Sequence, residues 1–261
     1  MNIKKSIIKF LDVCHIKYPR FMLPTNDVVL PFDGQRILIR NPRVSRIGRS
    51  IYLRGIWEPA ATHFISSKIE AGVTALDVGA DIGYYTLLFA KRVGPKGRVF
   101  AFEPIPKAKQ YLDRNIEMNG FHNVKTFDFA LFDESGKMCL EAPFTKSKIN
   151  PSRRKLCSND IEVKVKVFDE WAPKERIDAV DLIKLDVEGA ELNVLRGMRS
   201  TLREQCPKIL IEVHPEQLNT FGFLPSDVIE FLSDFGYHIE PVDKPEINFS
   251  QGNIILFADN S

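Results

Sequence analysis

Three short clusters of residues in this chain could do chemistry. The first is Asp77-x-Gly79-x-x-x-Gly83, within Ala-Leu-Asp-Val-Gly-Ala-Asp-Ile-Gly-Tyr-Tyr-Thr at 75 to 86. Glycines at a strand-to-helix turn let backbone approach a ligand and turn amides toward it. A dinucleotide turn needs Gly-x-Gly-x-x-Gly around a pyrophosphate, and the place of its first glycine is taken here by Asp77, which would repel that group. A carboxylate suits an ammonium, or a water beside one, so the turn fits the amino acid end of S-adenosylmethionine. Read alone, it is also compatible with a plain tight turn carrying an incidental aspartate.

Glu103 closes the next apolar run, 20 residues after Gly83, where an acid can accept both hydroxyls of a ribose. The second cluster is Asp186 and Glu188, two apart at the end of Asp181 to Glu188, which reads as a strand. The third, Glu212 and His214, repeats that spacing at the end of another strand. An acid and an imidazole beside a methyl donor are what transfer to a hydroxyl would use, because the alcohol attacks well only as its proton leaves. His214, Asp186 or Glu188 is the expected proton acceptor, and His214 could instead be a satisfied structural histidine. A divalent cation such as Mg²⁺ or Mn²⁺ held by these groups is a third reading, ranked below both. Lys184, inside an apolar strand run, requires a partner, with Asp186 or Glu212 the candidates.

These clusters require alternating strands and helices to bring them to one edge. The expected elements are strand 73–79, helix 83–92, strand 97–102, helix 106–119 and strands 123–129, 161–167 and 180–186. Helix 190–204, strand 208–213, helix 225–235 and strands near 237–241 and 253–258 follow. Such alternation predicts an α/β fold with a mostly parallel sheet covered on both faces, and ligands bind outside the carboxyl ends of its strands. Residues 1–56 read as a small N-terminal extension: an amphipathic helix (Ile3, Ile7, Phe10, Leu11, Cys14), then a hairpin of Val28 to Phe32 and Arg36 to Arg40 around Asp33-Gly34. A helix from Trp57 to Ala71 leads into residues 57–261, the expected catalytic domain. Residues 141–160 hold five basic side chains and two prolines between strands. They read as a solvated loop or as an acceptor lid whose Arg153 and Arg154 would take an acidic group.

Composition narrows the function classes. With 36 basic against 34 acidic residues, the net charge of +2 implies no nucleic-acid partner. Cys14, Cys139, Cys157 and Cys206 are spaced too irregularly for a zinc signature or a disulfide framework, which fits a reducing, cytoplasmic location. No run approaches the length of a membrane span, and the first residues are interrupted by Lys9 and Asp12 too soon for a secretory signal. Lys4, Lys5 and Lys9 leave weak contact with an anionic membrane surface as a minor reading.

Taken together, the chain resembles the FkbM-type S-adenosylmethionine-dependent methyltransferases. The resemblance runs from about Trp57 to Phe257 through Gly-Ile-Trp-Glu-Pro (55–59), the 76–86 run, Ala-Phe-Glu-Pro (101–104), Asn119, Ala130-Leu131, Ile-Lys-Leu-Asp-Val-Glu-Gly-Ala-Glu (183–191), Leu-Arg-Gly (195–197) and Ile-Glu-Val-His (211–214). It implies a Rossmann-like class I methyltransferase sheet of seven strands with a reversed final hairpin. It implies that Asp77, Gly79 and Gly83 line the methionine part of the cofactor, Glu103 the ribose, and Asp128, Ala130 and Leu131 the adenine. Asp81 stands where many relatives have asparagine, an extra carboxylate near the cofactor. Trp57, Tyr84 and Tyr85 are expected to flank the entrance. The implied activity is O-methylation of a small-molecule hydroxyl, on a sugar, glycolipid or polyketide-like acceptor. The alternatives are an NAD-dependent oxidoreductase, disfavoured by Asp77, and a non-catalytic nucleoside-cofactor-binding protein. Oligomeric state is not legible.

Overall fold

A computed structural model describes residues 20–140 and 161–260. The expected N-terminal helix and the 141–160 excursion lie outside the described residues. The chain divides into two compact units, Met1–Pro59 and Ala60–Ser261.

In the first unit, β1 (Val28–Phe32) and β2 (Gln35–Ile39) pair antiparallel. Asp33 and Gly34 both take positive φ, 46° and 74°, the conformation a two-residue hairpin needs and the reason Asp-Gly favours it. The next helix, α1 (Arg46–Arg54), was not expected from the sequence. Ser45 caps it by accepting the Gly48 amide, and Gly55 ends it in the left-handed region. Only Gly48 and Ile51 of α1 are buried, so its apolar stripe is too thin to read among the arginines. The helix expected from Trp57 begins later and ends earlier, as α2 (Pro59–Lys68), with proline at its first position and the rest of its residues in the second unit.

The second unit is built on β3 (Thr74–Val78), α3 (Tyr84–Val93), β4 (Arg98–Phe102), α4 (Pro106–Asn119) and β5 (Val124–Phe127). The expected strand 123–129 breaks at Asp128, and its remainder, β6 (Phe129–Leu131), joins a different sheet with β7 (Gly136–Leu140) and β8 (Ile161–Lys166) in the order β6-β8-β7. β7 has no counterpart among the expected strands. A short helix, α5 (Phe168–Trp171), precedes β9 (Leu182–Leu185). The single helix expected over 190–204 is two, α6 (Glu191–Arg196) and α7 (Arg199–Gln205). The break falls at Gly197, where a Cβ would lie 2.2 Å from the Phe132 carbonyl oxygen. The chain continues through β10 (Lys208–Val213), α8 (Pro215–Leu218), α9 (Pro225–Asp234), β11 (His238–Pro241) and β12 (Ile254–Asp259).

The main sheet has seven strands in the order β11-β12-β10-β9-β3-β4-β5. β12 runs antiparallel to both β10 and β11, and the remaining pairs are parallel. All five residues of β3 and all four of β9 are buried, as strands covered on two faces must be. Leu76, Ile183, Leu185, Ile209 and Ile211 are fully buried, each worth about 1.5–3 kcal/mol against exposure. The chain passes from β3 outward to β4 and β5, then returns to β9 on the other side of β3. That reversal makes the carboxyl ends of β3 and β9 the topological switch point, the crevice position from which open α/β sheets bind ligands.

Candidate active site

The loop from β3 to α3 forms one wall of this crevice, and its polar groups are satisfied by the protein itself. The amides of Gly79 and Ala80 both donate to the Phe102 carbonyl at 3.0 Å, and the Gly83 amide donates to Ala80 at 2.8 Å. The Asp81 amide donates to Glu103 Oε2, and the Ile82 carbonyl accepts from the buried Asn115 side chain, each at 2.8 Å. The expectation that free amides here face a ligand is thereby corrected for these four residues. The glycines answer to protein contacts as well. A Cβ on Gly79 would sit 1.8 Å from the Asp186 carbonyl oxygen, and one on Gly83 would sit 2.7 Å from Leu112 Cδ1. Both residues have φ above 80°, which only glycine adopts without strain.

Asp77 lies beneath this loop, 2% exposed, and accepts the Thr86 hydroxyl at 2.5 Å. Burial pushes its carboxyl up to about 6, and the Thr86 hydrogen bond and the Lys184 ammonium offset only part of that rise. Glu103 is buried at the end of β4, with Oε1 accepting the Ile105 amide at 2.8 Å and Oε2 the Asp81 amide. Two backbone amides hold this carboxylate still at the strand end, where an acid can accept the two hydroxyls of a ribose. Asp128 is exposed in the break between β5 and β6, Ala130 is partly buried and Leu131 is buried.

The opposite wall is the loop after β9 together with the end of β10. Because β9 ends at Leu185, Asp186 and Glu188 share no strand face, and the alternation argument for them is corrected. A turn brings them together instead: Glu188 takes φ 53° and Gly189 φ 108°. Gly189 is confined by Gln217, whose backbone carbon would be 2.7 Å from an added Cβ. β10 likewise ends at Val213, one residue short of His214, which begins the turn into α8; the two side chains still meet, with His214 Nε2 3.4 Å from Glu212 Oε1. Asp186 Oδ1 and Glu188 Oε2 stand 3.6 and 3.8 Å from the same nitrogen. Behind the ring, Nδ1 faces Glu191 Oε1 at 2.7 Å, and that oxygen also accepts the Gly189 amide at 2.9 Å.

Four carboxylates thus surround one imidazole that is 2% exposed. Burial alone would lower its pKa. The Glu191 hydrogen bond and the charges of Asp186, Glu191 and Glu212 outweigh burial and lift it to about 10. At neutral pH the ring carries its proton and is not an acceptor for another. Asp186 moves the other way: burial raises its carboxyl, but the Lys184 ammonium and His214 more than reverse this, and the net is below the ordinary value. Lys184 Nζ lies 3.1 Å from Asp186 Oδ2 and 5.0 Å from the Tyr85 ring centroid, so the buried lysine has one of the partners expected for it.

Glu191 carries no role in the sequence reading. It begins α6, where an acid reads as ordinary helix-end charge, and only the fold shows that it buttresses His214. Tyr84 and Tyr85 are buried, with the Tyr84 hydroxyl 3.2 Å from Thr62, so they support the core and do not flank an entrance. Trp57 belongs to the first unit. Among the described residues both cysteines, Cys139 and Cys206, are free, and no helix is long and apolar enough to cross a membrane.

Comparison with known proteins matches residues 77–239 to the methyltransferase FkbM domain. The chain is 25% identical over 234 residues to hexuronic acid methyltransferase AglP of Haloferax volcanii, covering 90% of each chain. It is 27% identical over 172 residues to 2-O-methyltransferase NoeI of Sinorhizobium fredii, covering 58% of this chain and 70% of that one. It is also 27% identical over 168 residues to methyltransferase sdnD of Sordaria araneosa, covering 52% of this chain and 64% of that relative's length. The matched region contains both walls of the crevice, and the seven-stranded sheet with its reversed final hairpin is the class I arrangement. The chain belongs to the FkbM family of S-adenosylmethionine-dependent methyltransferases.

Proposed function

We propose that this chain is an O-methyltransferase that moves the methyl group of S-adenosylmethionine to a hydroxyl of a small acceptor, with a saccharide as the favoured class. The observation that carries the reading is the carboxylate cluster around His214, gathered at the strand ends across the crevice from Glu103. Two of the similar proteins are named for a hexuronic acid and for 2-O transfer, which supports an oxygen acceptor on a sugar. Glu103 is assigned to the ribose, Asp77, Gly79, Asp81 and Gly83 to the methionine side, and Asp128, Ala130 and Leu131 to the adenine. When bound, the cofactor supplies an electrophilic methyl group and retains the sulfur electron pair as a neutral thioether.

Within the cluster, the proton acceptor is assigned to Glu188. His214 is buried and already protonated, and Asp186 is tied to Lys184. Glu188 is 41% exposed and is the carboxylate of the group most open to an incoming hydroxyl. It takes the acceptor proton as the oxygen closes on the methyl carbon, and the acidic surroundings favour a neutral polyol over an anionic group. Asp186 and His214 act as the charged frame that holds Glu188 in place. We further propose that residues 1–56 form a separate module, that the enzyme works in the cytoplasm and that nucleic acid is not a partner.

Calorimetry with S-adenosylmethionine and with NAD tests the cofactor: uptake of the first and none of the second supports the reading, and the reverse overturns it. Incubation with a panel of saccharides and mass spectrometry tests the chemistry. A gain of one methyl on an acceptor, lost in Glu188→Gln, is expected. Cofactor uptake with no methylated product across the panel would favour the non-catalytic binding protein.

A further inference from the structure

We propose that Asp186, Glu212 and His214 form a binding site for a divalent transition-metal cation, with Glu191 as its outer support. The first observation is a mismatch between the two sides of the imidazole. Nδ1 makes a normal hydrogen bond of 2.7 Å to Glu191, whereas the three oxygens facing Nε2 stand at 3.4, 3.6 and 3.8 Å, beyond the usual 2.7–3.2 Å. A ring nitrogen of a histidine only 2% exposed would normally be drawn onto one acceptor. Here three carboxylates stand at similar distances, each tethered from outside, Asp186 by Lys184, Glu212 by Asn253 and Glu188 by Gln217, as ligands are when an outer shell fixes them around a shared centre.

The spacing fits such a centre. One oxygen from each of Asp186 and Glu212 and one His214 nitrogen lie within 4.8 Å of one another. Ligands about 2.0–2.2 Å from a four-coordinate ion are separated by about 3.3–3.6 Å, which brackets the 3.4 and 3.6 Å separations from Nε2. The second observation is Glu191. Metal-bound imidazoles almost always give their other N–H to a carboxylate, which fixes the tautomer with the metal-facing lone pair outward. Glu191 occupies that place, fully buried, and it is itself held by the Gly189 amide. Its second oxygen has no hydrogen-bond partner, so the residue is retained at a desolvation penalty that a purely structural acid would not need.

Charge argues the same way. Asp186, Glu188, Glu191 and Glu212 are gathered around Lys184 and the His214 ring, and a cation bound at Nε2 takes the place of the proton that this nitrogen otherwise carries. The mixed nitrogen and oxygen donor set favours Mn²⁺ or Zn²⁺ over Mg²⁺ or Ca²⁺, which prefer oxygen throughout. Beside Glu188, such an ion would bind the acceptor hydroxyl and lower its pKa, so that the carboxylate removes the proton more readily. That catalytic consequence rests on the methyl transfer proposed above, whereas occupancy of the site does not.

The test uses the full chain, stripped with a chelator and then titrated with Mn²⁺, followed by electron paramagnetic resonance, and with Zn²⁺, followed by competition with a chromophoric chelator. One equivalent of either ion should bind. Glu212→Gln and Asp186→Asn should each weaken binding at least tenfold, and Glu191→Gln, which leaves all three ligands in place, by about 10- to 100-fold. Thermal unfolding of each variant checks that it remains folded, and Glu162→Gln, on β8, should match the parent. No saturable binding of either ion by the folded chain would overturn the proposal. So would an affinity unchanged in both Glu212→Gln and Asp186→Asn. Calorimetry with S-adenosylmethionine on the same stripped protein separates the two proposals, because metal uptake without cofactor uptake would keep this site and remove the methyltransferase reading.

Discussion

The two walls of the crevice are built from loops of similar length that meet at Gly79 and Asp186, yet they spend their polar groups in opposite ways. After β3, amides at four of five successive positions are used within the protein, and Glu103 is clamped between two of its neighbours. After β9, two backbone positions in succession take positive φ, and the carboxylates they present crowd one nitrogen without bonding to it closely. The first loop is a finished piece of scaffold that shapes a cradle. The second concentrates four carboxylates around one imidazole, and such concentrated electrostatics are what a reaction can use.

Removing the charge from the second wall tests that contrast most strongly. Glu188→Gln keeps the size of the side chain and abolishes proton acceptance, so kcat should fall by about 10²- to 10⁴-fold. Cofactor affinity, measured by calorimetry, should stay within a few-fold, because the groups assigned to the cofactor lie mainly on the other wall. A variant with normal kcat would move the proton acceptor elsewhere in the cluster.

The seam between the walls is tested by Gly79→Ala. The added methyl would meet the Asp186 carbonyl at 1.8 Å, and φ of 84° adds backbone strain, so the expected loss of stability is about 3 kcal/mol or more. Gly120→Ala is the natural control. Its φ is 65° but a Cβ there meets nothing within 4 Å, so it should cost only about 1–2 kcal/mol. Denaturant midpoints showing equal losses would mean that the two loops are not tightly joined.

The two walls also differ in how legible they are in the sequence. The first could be read almost completely, since glycines at 79 and 83 and the acid at 103 mark a strand, a turn and a second strand end by local rules. What local rules missed was the partner of each glycine: Asp186 and Leu112 come from distant segments, and no spacing records them. In the second wall, Asp186, Glu188 and His214 were legible as chemistry-bearing types, and the meeting of Glu212 with His214 was expected although His214 lies one residue past the strand. The shared face of Asp186 and Glu188 was not, because a left-handed Glu188 ends the alternation. Nor was Glu191, whose role appears only when β10 brings His214 behind it. The splits at Asp128 and Gly197 escaped for the same reason, being set by the second sheet and the Phe132 carbonyl.

The pH dependence of stability sharpens the account of the scaffold wall. Asp77 lies under it with Thr86, Lys184 and Asp186 as its polar neighbours. Its pKa in the folded protein is raised from 3.8 to about 6, so the native state binds this proton more tightly than the unfolded chain does. The contribution therefore favours folding below pH 4 and is lost as the pH rises through 6, a difference of about 3 kcal/mol. Asp77→Asn keeps an acceptor for Thr86 and removes the titration. Relative to the parent, the variant should be more stable at pH 8 than at pH 5 by about 1.4 kcal/mol, since part of the contribution is already lost at pH 5, read from unfolding midpoints at the two values. An offset that does not change with pH would show that Asp77 stays ionised in the native protein at pH 5.

The smallest effect is expected at Glu103. Glu103→Gln retains one acceptor oxygen and places an amide nitrogen against a backbone N–H, so either the Asp81 or the Ile105 amide loses its partner. A buried donor left in this state costs about 1–3 kcal/mol. If the carboxylate also accepts the ribose hydroxyls, part of that loss must appear in binding, as a roughly tenfold weaker uptake of S-adenosylmethionine with kcat at saturation nearly unchanged. A variant that is less stable but binds the cofactor normally would make Glu103 a brace for the loop alone, and would leave the first wall as pure scaffold.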